Sequence, residues 1–194
     1  MNRMLEVLDR IRDLETELEQ EIAERQKQWH YRIEAGRVRF ESAVHRRHKA
    51  LKTSIARYLR ESYLPSVISA PVIYSVVIPF LVLDLWVTVY QRICFPIYGI
   101  PRVRRGDYIA LDRRKLAYLN GIEKANCEYC GYANGVLGYI REITARTEQY
   151  WCPIKHSRRV KGVHARYRAF VDYGDAEGYK KELPVLRDSL HDHK

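Results

Sequence analysis

Proline and glycine are scarce at the start of this 194-residue chain: residues 1–62 contain no proline and one glycine, Gly36. Turns are therefore not expected to interrupt this part often. Cysteine is rare as well, and four cysteines are too few for a disulfide scaffold of this size. A hydrophobic fraction of 46% and 15 tyrosines exclude a disordered or collagen-like chain. The length suits one domain, or one modest domain with appendages.

Familiar catalytic motifs are also missing from the sequence. It holds no glycine-rich phosphate loop, no G-x-S-x-G turn and no H-E-x-x-H pair. We therefore expect a protein without catalytic activity of its own and identify no small-molecule substrate. The charges are unbalanced, since 34 Lys and Arg against 24 Asp and Glu give a net charge of +10. Such an excess favours anionic partners.

Residues 1–62 repeat apolar side chains at helical spacing, in steps of three, four and seven. The repeat slips between Leu18 and Trp29, so a perfect heptad coiled coil is not expected. The sequence predicts one long coiled-coil-like helix, or a helical hairpin broken at Gly36, that binds a protein partner or a second copy. The recurring positions are Val7, Ile11, Leu14, Leu18, Ile22, Trp29, Ile33, Phe40, Val44, Leu51 and Ile55.

Residues 63–100 form an apolar block that predicts a membrane-embedded segment. Asp84 is the only charged residue between Leu64 and Tyr90, and about 20 apolar residues suffice to span a bilayer core. Both flanks of the block are rich in Lys and Arg, which favours the cytoplasmic side for both. A hairpin broken at Pro71 or Pro79, full or re-entrant, satisfies this better than a single span. We therefore expect a membrane protein whose two soluble parts are cytoplasmic.

Asp84 is the exception within the apolar block. A carboxylate in hydrocarbon needs a partner, a water-filled pocket or a proton. It could serve a proton or ion relay or an intersubunit contact. The alternative that we favour is a structural one, in which Asp84 lies near the lipid headgroups or pairs with Arg92, eight residues later.

Residues 101–194 contain the strongest chemical motif of the chain, C-x2-C-x21-C-x3-H, formed by Cys127, Cys130, Cys152 and His156. Three thiolates and one imidazole suit a closed tetrahedral Zn²⁺ site, and Gly131 suits the tight turn of a zinc knuckle. One helix, capped by Asp112, is expected before the knuckle and a second one before Cys152. Iron or an iron–sulfur cluster at the same ligands, or a redox-active Cys pair, are the alternatives.

A basic run follows this motif and is interleaved with aromatic residues. It suggests a face that binds phosphate groups of lipids or other anions. Because the same chain carries a membrane block, lipid or protein partners are expected rather than nucleic acid. The residues assigned to this face are Lys155, Arg158, Arg159, Lys161, Arg166 and Arg168.

The two ends of the Cys/His motif also carry a resemblance. The runs C-E-Y-C-G-Y from Cys127 and R-T-E-Q-Y-W-C-P-I-K-H, which ends at His156, resemble uncharacterised bacterial membrane-associated proteins, over residues 80 to 180. That group has no assigned activity, so the resemblance implies association with the bacterial inner membrane and no site residue. A local likeness to zinc knuckles covers only Cys127 to Gly131.

Together these patterns predict a mainly α-helical protein in three parts: a helix over 1–62, a membrane hairpin or span over 63–100 and a small metal-clipped helical domain over 101–194. The predicted function is that of a membrane-anchored, zinc-stabilised scaffold or adaptor. A membrane-bound redox protein with an iron centre at the same ligands is the alternative. Lipid-headgroup or nucleic-acid binding through the basic face is a third possibility.

Overall fold

The computed structural model describes residues 2–28, 31–34, 37–40 and 42–191, and the described chain is mainly helical. The main helices are α1 (Asn2–Gln28), α2 (Ser42–Ala50), α3 (Ile55–Glu61), α4 (Leu64–Ser75), α5 (Val77–Ile97), α6 (Gly121–Trp151) and α7 (Ala176–Asp188). Short 3₁₀ turns cover Arg105–Asp107, Arg113–Lys115 and Ala165–Ala169. Two strands, β1 (Tyr31–Glu34) and β2 (Arg37–Phe40), complete the described elements.

The chain forms two compact units: Met1–Arg60 with Asp112–Lys124, and Glu61–Leu111 with Ala125–Lys194. In the first unit, α1 confirms the predicted helix as far as Gln28. The predicted helix is wrong at residues 31–40, because β1 and β2 pair antiparallel with Tyr31 opposite Phe40. Helices α2 and α3 nevertheless cover much of the remaining stretch to residue 62. The runs Y-R-I-E and R-V-R-F alternate apolar and charged residues with the two-residue period of strands. Trp29 and the predicted break at Gly36 lie outside the described residues.

The start of α6 also differs from the predicted helix capped by Asp112. Residues Arg113–Lys115 make only a 3₁₀ turn, and α6 begins at Gly121. The Asn120 side chain accepts hydrogen bonds from the backbone N–H of Ile122 (2.9 Å) and Glu123 (3.0 Å), while Glu123 accepts one from the N–H of Asn120 (2.8 Å). This reciprocal capping box satisfies N–H groups that the first helical turn leaves free.

In the second unit, Val76 alone separates α4 from α5, and it keeps right-handed helical angles (φ −64°, ψ −15°). Residues Leu64–Ile97 therefore form one helix of 34 residues, called the apolar helix below. The predicted membrane hairpin is wrong. Pro79 lies in the first turn of α5, where proline is tolerated, and Pro71 lies within α4 without ending it.

Helix α6 runs parallel to the apolar helix: successive contacts join Tyr74 to Tyr129, Asp84 to Tyr132 and Tyr98 to Tyr150. The core of the second unit lies where these two helices meet the segment after α5 and the end of α7. Its buried members are Phe95, Ile100, Val103, Tyr139, Ile143 and Leu190. A Cβ at Gly135 would lie 2.7 Å from the Tyr108 carbonyl oxygen, so this glycine admits the segment against α6.

Candidate functional site

Along α5, the apolar helix buries polar residues and exposes apolar ones. Its buried residues include Asp84 and Gln91, which are 7% and 4% exposed. Leu85 and Trp86, in contrast, are 67% and 74% exposed. A helix of a water-soluble protein normally buries its apolar side and exposes its polar one. Along much of α5 the reverse holds: Asp84 and Gln91 face the protein and most of the apolar residues face outward, whereas Phe95 near the end of the helix is buried and Arg92 is exposed.

Asp84 is the centre of a polar cluster on the buried side. It accepts hydrogen bonds from Arg105 Nε (3.0 Å) and Nη2 (2.6 Å), and from the Tyr132 hydroxyl (2.9 Å). The hydrogen bond to Asp84 in turn raises the pKa of Arg105. The prediction that Asp84 pairs with Arg92 is wrong. Arg92 is exposed and lies about 12 Å further along the helix, at ~1.5 Å per residue. The intrachain pair accounts for Asp84 without a relay or an intersubunit contact.

Gln91 and Thr88 extend the polar stripe toward the end of α5. The Gln91 side chain accepts a hydrogen bond from the Val103 N–H (2.9 Å), donates one to the Val103 carbonyl (3.3 Å) and also donates to the Tyr139 hydroxyl. Thr88 Oγ1 lies 3.3 Å from the same hydroxyl. The stripe thus fastens both α6 and the segment 101–111 to the inner side of the apolar helix.

The four predicted metal ligands do not come together. Cys127 and Cys130 lie within α6, whereas Cys152 directly follows its end. At ~1.5 Å per residue, the helix separates Cys127 from Cys152 by about 37 Å, more than ten times a zinc–ligand bond. The predicted Cys3His site, and the knuckle turn at Gly131, are therefore wrong for this fold. The iron alternatives rest on the same four residues and lose the same support.

The two ends of the predicted Cys/His motif lie in different environments. Cys127 and Cys130 are three residues apart on α6 and so share a side of the helix, half-buried and exposed respectively. The His156 ring stacks on Tyr167 with the ring centroids 5.9 Å apart. No group of three or more His, Cys, Asp or Glu residues suited to a metal occurs among the described residues. Zinc as a cofactor of this chain stays a prediction.

The basic run after α6 separates into structural and available cations. Arg166 is bound to Glu142 (2.9 Å) and to Gln149 (3.0 Å), and Lys155 is bound to Asp172 (2.8 Å). These two predicted anion ligands therefore already serve the fold. The other four side chains are exposed: Arg158, Arg159, Lys161 and Arg168.

The segment Lys155–Val163, called the cationic loop below, surrounds a cleft of about 790 Å³. Arg141 of α6 donates hydrogen bonds to the carbonyl oxygens of Gly162 (2.8 Å) and Val163. Gly162 has a φ of +70°, a conformation that glycine adopts without strain. The cleft is lined by Lys155, His156, Ser157, Arg158, Arg159, Val160, Lys161, Gly162, Val163 and Tyr167.

Glu142 organises the charges on the side of α6 next to the cationic loop. Burial raises the pKa of its carboxyl group, but hydrogen bonds from Arg146 and Arg166 outweigh this and leave the pKa below its ordinary value. Arg146 also donates to the Pro101 carbonyl (2.7 Å). The Glu142 cluster is therefore a structural junction between α6, the segment after α5 and the 3₁₀ turn that contains Arg166.

Sequence patterns did not indicate Arg105, Tyr132 and Arg141 as site residues. Arg105 lies 21 residues beyond Asp84, outside the α-helices, where no helical periodicity relates the two residues. The sequence pattern could have indicated only Gln91 and Thr88 as site residues, because they are polar within an apolar block and follow Asp84 at helical spacing.

Comparison with protein-family models, curated proteins and solved structures found no match to this chain. Among the described residues, one helix, Leu64–Ile97, is long and apolar enough to cross a membrane by length and composition. The fold and the contacts described above therefore carry the functional argument.

Proposed function

We propose that this chain is a membrane-attached interaction or assembly protein without catalytic activity of its own. The observation that carries the proposal is the inverted apolar helix, which turns Asp84 and Gln91 inward and Leu85 and Trp86 outward. Stable exposure of so continuous an apolar surface to water is rare in monomeric proteins. Lipid chains would cover it without a matching protein surface.

Exposed apolar side chains extend over the whole length of the apolar helix. Fifteen apolar residues of this helix are each at least 40% exposed, and no charged residue between Leu64 and Tyr90 is exposed among them. Each of these side chains would gain about 1.5–3 kcal/mol on full transfer from water to an apolar medium. The set comprises Leu64, Val67, Ile68, Val72, Ile73, Val76, Ile78, Leu81, Val82, Leu83, Leu85, Trp86, Val89, Ile93 and Ile97.

The inner side of the apolar helix argues for attachment in the plane of the membrane. The irregular segment 101–111, with Arg102, Arg104, Arg105 and Asp107, is fastened there through Val103 and Arg105. Hydrocarbon does not accommodate lipid-exposed irregular backbone. A helix lying in the bilayer surface keeps this segment in water and embeds only the outer side. Both basic flanks then stay on one side of the membrane, as the positive-inside rule favours for the cytoplasm.

Helix α1 supplies the proposed interaction element. Its exposed apolar residues Val7, Leu14 and Leu18 follow one stripe, and Arg10 and Glu15 flank it with opposite charges. In a parallel pair of helices such flanking charges attract each other across the seam. We propose a second copy of the chain as the partner of α1.

The membrane proposal is tested by vesicle flotation of the purified full chain. Two lysines on the outer face, in the double variant L85K/V89K, are expected to lower vesicle partitioning by about two orders of magnitude, because lysine opposes insertion into hydrocarbon. The matched control T16K/Q20K places two lysines on exposed positions of α1 outside its apolar stripe and should float like the unchanged chain. Equal flotation of all three proteins would refute the proposal.

The in-plane arrangement is tested by quenching of tryptophan fluorescence with lipids brominated at known depths. Three single-tryptophan variants are compared, with Trp29 and Trp151 replaced by Phe throughout: one keeps Trp86, and the others carry tryptophan at Val82 or at Ile97 in a Trp86→Phe background. These three positions share the outer side of the helix, so one common depth, just below the headgroups, is expected for all of them. A depth that changes steadily from Val82 to Ile97 would indicate a membrane span instead.

A further inference from the structure

We infer that the cationic loop is a binding site for a phosphate-bearing ligand. Its cleft of about 790 Å³ is bordered by Arg158, Arg159 and Lys161, and no carboxylate belongs to the lining. The inference goes beyond membrane attachment and does not depend on it.

The available charge comes from three side chains. Arg158, Arg159 and Lys161 are exposed, and the structure gives them no carboxylate partner within the described ranges 2–28, 31–34, 37–40 and 42–191. Lys155 and Arg166, by contrast, are bound to Asp172 and Glu142. An uncompensated group of cations around one concavity is the arrangement that attracts a multiply charged anion.

The loop that carries these cations is held at both ends. At its start, Lys155 N–H donates to the Val171 carbonyl (2.8 Å) and His156 N–H donates to the Tyr167 hydroxyl (2.6 Å). At its end, Arg141 donates to the carbonyl oxygens of Gly162 and Val163. A loop fixed in this way loses less conformational entropy when it binds a ligand.

The chemistry of the lining favours phosphate over a carboxylate ligand. Arginine presents a planar fork of N–H donors that matches phosphate oxygens, and lysine adds a point charge. A phosphate monoester carries nearly two negative charges and three terminal oxygens near neutral pH, enough for all three side chains. The stacked rings of His156 and Tyr167 border the same cleft.

The position of the loop bears on where the ligand comes from. Tyr139 contacts α5, whereas Arg141, two residues later, holds the cationic loop. Residues two apart on a helix point in directions about 200° apart, since each residue turns it by about 100°. The loop therefore lies on the side of α6 away from the apolar helix. This favours a water-borne phosphate compound over a headgroup of the bilayer that covers that helix.

The experiment is a calorimetric titration of the detergent-solubilised full chain with inorganic pyrophosphate at fixed ionic strength. The variant R158Q/R159Q is compared with R113Q/R114Q, which removes a second adjacent pair of exposed arginines outside the loop. R158Q/R159Q is expected to weaken binding at least about tenfold, because two charge-assisted contacts are lost. The control should stay within about twofold, since it changes only the net charge.

A second arm compares vesicles of phosphatidylcholine with and without a phosphoinositide. Extra binding to the phosphoinositide vesicles that R158Q/R159Q abolishes, without pyrophosphate binding, would support the site and identify a lipid as the source. The inference is overturned if neither probe binds, or if R113Q/R114Q loses as much affinity as R158Q/R159Q. The titration needs no membrane, so its result can be interpreted even if the chain does not attach to membranes.

Discussion

Two helices of this protein expose leucines, and they do so in different ways. On α1, the exposed apolar residues Val7, Leu14 and Leu18 form one stripe among acidic and basic side chains. On the apolar helix, exposed leucine, isoleucine and valine occupy most of the surface, and its buried residues are mainly polar. The two helices therefore differ in the width of the apolar surface and in the location of the polar groups.

The difference indicates what can cover each surface. A narrow stripe bordered by charges fits a second helix, because the charges stay in water at the seam. A wide surface without charges would need a protein partner of unusual size, whereas a bilayer covers it without shape complementarity. The predictions below test this contrast in order of decreasing effect.

The largest effect is expected from the inner side of the apolar helix. Asp84→Ala removes the acceptor of Arg105 and Tyr132 and should lower the free energy of unfolding by about 2 kcal/mol, measured as thermal unfolding in detergent. Asp84→Asn keeps part of the hydrogen bonding and should cost less. An Asp84→Ala variant as stable as the unchanged chain would mean that the cluster does not hold the segment 101–111 in place.

The next effect concerns association through α1. Replacing Leu14 and Leu18 by lysine should weaken self-association at least about tenfold, because a helix pair covers each leucine only in part and so realises a fraction of the about 1.5–3 kcal/mol of full burial. Sedimentation equilibrium in detergent measures it. The control T16K/Q20K adds the same charge beside the stripe and should associate like the unchanged chain. A monomeric unchanged chain would contradict self-association and leave a different protein as the partner.

A smaller, pH-dependent effect is expected at Glu142. Its pKa is lowered in the folded state, so its carboxylate stabilises the fold fully above the ordinary glutamate range near pH 4.3, and this contribution is lost as the pH falls through the lowered value. Glu142→Gln should therefore cost about 1 kcal/mol at pH 7 and progressively less in acid. Thermal unfolding between pH 7 and pH 3 measures the difference, and a gap that widens in acid would contradict this assignment.

The smallest effect is expected from the cysteines of the former zinc motif. Cys152→Ser and Cys127→Ser should each change the free energy of unfolding by less than about 0.5 kcal/mol, as surface substitutions do. Elemental analysis of the same samples should give equal metal content. Loss of a stoichiometric zinc together with unfolding in both variants would restore the four-ligand site and refute the continuous α6.

The sequence was sufficient where the signal is local and strong. The apolar block over residues 64–97 and the helical period of Val7 to Leu18 each follow from side chains only a few positions apart. The hydrophobic effect acts on such runs whatever the rest of the fold does. The basic composition of the cationic loop is likewise visible in the sequence. The sequence does not show which of its cations are bound to carboxylates and which are not.

The tertiary structure decided everything that depends on distant residues. Spacing alone grouped Cys127 with Cys152, but a continuous helix keeps them apart because each residue adds about 1.5 Å. Asp84 pairs with Arg105 and not with Arg92, because burying a carboxylate requires a partner that packing brings within hydrogen-bond distance. The sequence by itself determined that an apolar helix exists; only the tertiary structure determined which side of it faces outward.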